Sequence, residues 1–153
     1  MRYSGLLRIG SALVATLLSF SAVAEAEPAR PADAFVDFVG VNTHVGYADT
    51  TYGDYEGILK PRLLELGVRH IRDGTFDSDV LRKYLDLGKH GIRLLLITDS
   101  GRALERARRL GPMLFAIEGI NEPDTGRSDW ATRTREEQRR LYEASRNQLT
   151  KDE

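Results

Sequence analysis

The chain has 153 residues, 41% of them hydrophobic, with 22 Lys+Arg against 23 Asp+Glu. That is enough for one domain with a real core, and so mild a charge balance gives no electrostatic reason to expect nucleic acid or a strongly anionic membrane as partner. Cysteine is absent, which excludes disulfides, cysteine nucleophiles and cysteine-held zinc, and the three histidines are a poor basis for a transition-metal site, so no metal or cofactor is expected.

The first segment, residues 1–24, reads as a secretory signal peptide: Arg2 and Arg8 form a positive start, Ile9 to Phe20 an apolar stretch, and Ala22-Val23-Ala24 a small-x-small cleavage site. The apolar run falls short of the roughly 20 residues that a spanning helix needs, and Pro28 and Pro31 follow closely. Cleavage after Ala24 removes two of the 22 basic residues and no acid, leaving 20 against 23 and a net charge of −3. A secreted or periplasmic product without a membrane span is expected. Residues 25–34, rich in Pro and Ala, read as a flexible lead-in.

From residue 35 onward, short apolar runs alternate with amphipathic helical stretches, the pattern of parallel strands joined by crossover helices. The first strand is expected over Phe35–Asn42. A helix follows in "YEGILKPRLLELG", with Leu59, Leu63, Leu64 and Leu66 as its stripe and Gly67 as its stop; Pro61 either kinks it or marks its start. The second strand is Val68–Gly74, followed by a helix over Ser78–Lys89 with Val80, Leu81, Tyr84, Leu85 and Leu87 on one side. "IRLLLITDS" suits a strand buried on both faces. The next helix places Ala103, Leu104, Ala107 and Leu110 at helical spacing and stops at Gly111-Pro112. The fourth strand is "MLFAIEGIN", and its helix is expected from a capping box formed by Thr134 and Glu137.

The strands end on polar residues: Asn42 and His44, Arg72 and Asp73, Asp99, then Asn121 and Glu122. In parallel α/β folds such ends converge on one rim, where ligands bind. Each has a plainer reading. His44 alone would serve as a loop histidine, Asp99 as a helix cap, and Asp73-Gly74 as a turn pair. Arg72 is harder to dismiss, because a guanidinium near the end of a buried strand needs an acceptor. Glu118 is the acceptor expected, with its carboxylate facing Arg72 or His70. Glu122, a carboxyl at a strand end under apolar walls, is suited to a raised pKa and to donating a proton, and Asn121 beside it to holding a hydroxyl.

The pattern "VGVNTH…LKPRLLELGVRHIRDG…LLLITD…AIEGINEPD" resembles the N-terminal half of the clan A glycoside hydrolases, retaining cellulase-like (β/α)8 barrels, over about residues 35 to 150. The resemblance implies that Glu122 is the general acid/base, that Asn121 binds the hydroxyl next to the reacting carbon, and that Arg72 supports the nucleophile. Asp99 stands where some members carry a histidine, and His44 is a plausible sugar contact. It also implies a polysaccharide or oligosaccharide substrate and double displacement by two carboxylates about 5–5.5 Å apart; the loop aromatics Tyr47, Tyr52, Tyr55 and Trp130 are either stacking platforms for the sugar or covers for the half-exposed core.

In that clan the nucleophile follows a seventh strand, which this sequence lacks. A complete barrel needs roughly 250 residues, whereas cleavage after residue 24 leaves 129 of the 153. The expected fold is therefore α/β, a partial barrel of four β-α units over residues 35–153. Unpaired edge strands and self-association are expected to follow from it. Two other readings compete. A non-catalytic carbohydrate-binding or interaction module would bind oligosaccharide in this form, where an unfinished enzyme would not. An open doubly wound nucleotide-binding sheet is opposed by "GVNTHVGYAD", which lacks the glycine-rich phosphate loop.

Overall fold

The structure, a computed structural model, describes residue 29, residues 31–126 and residues 128–148; the segment read as a signal peptide lies outside them. It is an α/β fold built on one sheet of four strands in the order β1-β2-β3-β4: β1 (Gly40–Asn42), β2 (His70–Asp73), β3 (Arg93–Ile97) and β4 (Leu114–Glu118). Every neighbouring pair is parallel. The register sets Asn42 beside Arg72, Arg72 beside Leu95, and Ile97 beside Glu118. An irregularity between Leu94 and Leu95 shifts the last pairing.

The helices are α1 (Ala32–Val36), α2 (Lys60–Leu66), α3 (Ser78–Lys89), α4 (Ala103–Leu110) and α5 (Trp130–Gln148). Ile71, Leu94 and Leu96 project from one face of the sheet into a core with Leu63 of α2, Tyr84 and Leu87 of α3, and Leu110 of α4. Right-handed crossovers between successive parallel neighbours lay their helices on the same face, and these contacts fit that rule. The opposite face carries His70, Arg72, Leu95 and Glu118; an open cavity of about 190 Å³ lies on it between Phe38, Gly40, Leu95 and Phe115.

Several boundaries differ from those expected. Phe35 and Val36 are helical, and the first strand is confined to Gly40–Asn42. Arg69 explains the change: it donates to Asp33 Oδ1 and to Asp37 Oδ1 (2.6 Å), clasping both ends of α1 from the approach to β2. A π-type turn over Tyr55–Leu59 runs into α2 without a break in the helical backbone, and Pro61, which has no N–H to give, stands at the second residue of α2 just past the widened turn. Gly67 ends α2 in the left-handed conformation, φ 65°. Of the expected stripe, Leu59 and Leu63 are buried while Leu64 and Leu66 face solvent, as does Leu85 on α3.

The last helix begins at Trp130, so Thr134 lies inside it and caps nothing. Glu137 instead reaches to the preceding unit: one oxygen accepts from the Ser100 N–H and the other from Ser100 Oγ (3.0 Å), with Arg140 alongside (3.0 Å). This clip and the buried Leu141 seat α5 chiefly on α4. Among the described residues no helix is long and apolar enough to cross a membrane.

Candidate functional site

The loop after β1 is tied down by a carboxylate at the end of β2. Asp73, 3% exposed, accepts from Thr43 Oγ1 (2.9 Å) and the Val45 N–H (2.8 Å) at Oδ2, and from the Gly74 (2.7 Å) and Thr75 (3.2 Å) N–H groups at Oδ1. The turn pair expected here is thus also a clasp between two strand ends. It holds the following loop so that His44 stacks on Tyr47, ring centroids 4.5 Å apart, with Tyr52 edge-on at 5.7 Å.

Glu118 meets Arg72 as anticipated. Arg72 Nε donates to Glu118 Oε2 at 2.6 Å and Nη2 donates to Oε1, a two-pronged pair across the sheet. His70, the other partner considered, packs its ring on Phe115 instead, at 4.0 Å. The bonds from Arg72 hold the Glu118 carboxyl below its usual range and, reciprocally, raise the guanidinium. Arg72 Nη2 also donates to Asn121 Oδ1 at 3.1 Å.

Asn42, His44, Tyr47, Arg72, Asn121 and Glu122 line one cavity of about 420 Å³ at the C-terminal ends of the strands. Five of the six were singled out as strand-end groups, and Tyr47 as a rim aromatic. Asp99 does not line this cavity. Its carboxylate takes the Arg102 Nε (2.6 Å) and the Arg102 backbone N–H (3.2 Å), the helix-start role open to it from the sequence; the Arg102 bonds lower its pKa. Tyr55 is buried, its hydroxyl donating to Asp86 Oδ2 (2.8 Å), and Trp130 starts α5 away from the cavity.

Glu122 differs from expectation in two ways. Its side chain is exposed, so the apolar walls anticipated around it are not supplied by the described residues. Its backbone has φ 47°, alone among the described non-glycine residues in being positive, a conformation that costs a side-chain-bearing residue about 1–2 kcal/mol. It lines both the rim cavity and a second one, of about 260 Å³, that Pro123, Thr134 and Gln138 also line. Glu122→Gly is expected to stabilise the fold by about 1 kcal/mol in urea unfolding while deleting the carboxylate. A destabilised variant would show that the carboxylate holds the loop.

The lowered pKa of Glu118, and that of Glu137, set chiefly by the Ser100 N–H, have a consequence in acid. Each stabilises the fold fully above the unfolded glutamate value of about 4.3, where the unfolded chain has released its proton too. As pH falls through the lower folded values, that stabilisation is lost. Melting temperature should fall as pH is lowered through and below that window, and Glu137→Gln should flatten the decline; an unchanged profile would contradict the clip. Partial exposure of Glu118 and Arg72 tempers their share.

Two carboxylates line the cavity: Asp73 is engaged, and Glu122 has no described ion-pair or hydrogen-bond partner. Among the described residues no group of three or more His, Asp or Glu is placed to hold a metal ion. The site is thus defined as a polar, aromatic-edged cavity at the strand ends of a parallel α/β sheet. No protein family, no curated protein and no solved structure matches the chain.

Proposed function

We propose that this chain is an exported, glycoside hydrolase-like protein whose rim cavity receives a polysaccharide or oligosaccharide. The observation that carries the reading is the convergence of Asn42, His44, Arg72, Asn121 and Glu122 on one cavity at the C-terminal ends of consecutive parallel strands. Such ends are where (β/α)8 barrels place their sites. The strand order supports the same architecture: in a doubly wound sheet the order reverses at the ligand site, and here it runs 1-2-3-4 without reversal. The four units correspond to the first half of such a barrel, and the first 24 residues to its signal peptide.

In this reading Glu122 is the proton donor, Asn121 holds a sugar hydroxyl, and Tyr47, 50% exposed, offers its ring to a pyranose face. Double displacement needs a second carboxylate on the other side of the anomeric carbon, and the described cavity wall has none to spare. Purified chain mixed with aryl glycosides or β-glucans is therefore expected to give no turnover.

A non-catalytic carbohydrate-binding module is the second reading, favoured by the single available carboxylate. Because the cavity is already assembled, some oligosaccharide binding is expected under both readings. Calorimetric titration separates them: an unfinished enzyme should bind at about millimolar Kd, near −4 kcal/mol, and a module at about micromolar, near −8 kcal/mol. Robust hydrolysis by the chain alone would overturn both.

A further inference from the structure

Arg72 is shared between two side chains. Its Nε and Nη2 grip Glu118, and the same Nη2 donates to Asn121 Oδ1 at 3.1 Å. Arginine has no acceptor, so the Asn121 atom turned toward it has to be the amide oxygen. The terminal torsion of an asparagine is otherwise broad and roughly two-fold, and a free Asn121 would offer its oxygen or its NH2 group about equally. Asn121 is exposed and Gly119 and Ile120 separate it from the end of β4, so its own backbone does little to fix that choice.

We propose that Glu118 is a positioning residue for the rim cavity: by holding Arg72 in a two-pronged grip it fixes Asn121 with its NH2 group toward the cavity. The wall formed by Arg72 and Asn121 is then a donor surface, and the ligand group lodged against it accepts, as a sugar hydroxyl does through its oxygen lone pairs. Among the described residues nothing accepts from Arg72 Nη1, which leaves a further donor on the same wall. The identity of the ligand rests on the carbohydrate reading given above. The orientation of the amide does not.

The test reads that amide directly. Magic-angle-spinning NMR of the sedimented, 15N-labelled full chain works in any association state, and the Asn121 side-chain pair is identified by its loss in Asn121→Ala. In Glu118→Gln both amide protons are expected to move toward the position of a free primary amide, with the backbone spectrum away from the rim retained. Arg72→Met, which keeps an unbranched apolar stem but has no donor for Asn121 Oδ1, should have the same effect. An unchanged pair in whichever variant keeps the parent backbone spectrum overturns the role, as does a parent pair already at the free-amide position. Because no sugar enters this experiment, a failure to bind carbohydrate leaves the positioning role standing, and an unmoved amide leaves carbohydrate binding standing.

Discussion

Purified chain is expected to sediment as a self-associated or insoluble species. The cause lies in the sheet: in the order 1-2-3-4, β1 and β4 are its edges, and each presents backbone N–H and C=O groups without a strand partner among the described residues. Apolar surface accompanies both. Phe38, 85% exposed, stands beside β1, and Phe115, 45% exposed, lies on β4. Since α5 seats on α4, a groove of about 350 Å³ remains between β4 and α5, lined by Phe115, Ile117, Leu141 and Tyr142. Apolar patches of this kind are rarely left open on monomers. A compact monomer with a sharp thermal transition in analytical ultracentrifugation and calorimetry would contradict this. Charged substitutions at Phe38 and Phe115 should shift the distribution toward smaller species.

Asp73→Ala is expected to be strongly destabilising, costing about 3–5 kcal/mol of stability in urea unfolding. Four donors converge on its two oxygens, including the Val45 N–H and Thr43 Oγ1 from the neighbouring strand end. Truncation leaves the buried Val45 N–H and the part-buried Gly74 and Thr75 N–H groups without that acceptor. Asp73→Asn should also destabilise despite its matching shape, because its NH2 group must face one pair of donors. Losses below about 1 kcal/mol in both variants would show that the clasp is dispensable.

The parts of this fold that could be read from the sequence were those governed by local pattern. The α3 and β3 segments sit where their apolar spacing put them, and the capacity of Gly67 for a left-handed conformation marked the end of α2. What escaped depends on partners far away in the chain. The α1 helix, Ala32–Val36, takes the end of the segment expected as a flexible lead-in and the first two residues of the expected strand, held there by Arg69, which reaches Asp33 and Asp37 more than 30 positions earlier. The two halves of the Thr134/Glu137 motif had the spacing of a cap, yet Glu137 is used on Ser100, 37 positions away.

The site divides along the same line. Chemistry pointed to Arg72 and Glu118, since a guanidinium on a buried strand has to be met, and the pair is formed. Asp73 was undervalued as a turn residue, because its strongest partners, Thr43 and Val45, are 30 and 28 residues distant. The left-handed backbone of Glu122 and its exposed side chain had no signal in "INEPD"; the proline after it disfavours right-handed helical geometry without specifying what replaces it.

Carbohydrate recognition at the rim is tested most directly by saturation-transfer NMR, which detects weak contact without turnover and tolerates self-association. Oligosaccharides of several linkages would be added to the parent chain, to Asn121→Ala and to Tyr47→Ala. Transfer to at least one of them from the parent chain, reduced several-fold or lost in both variants, is the expected result. No transfer to any, or transfer undiminished by either substitution, would contradict a sugar site in this cavity.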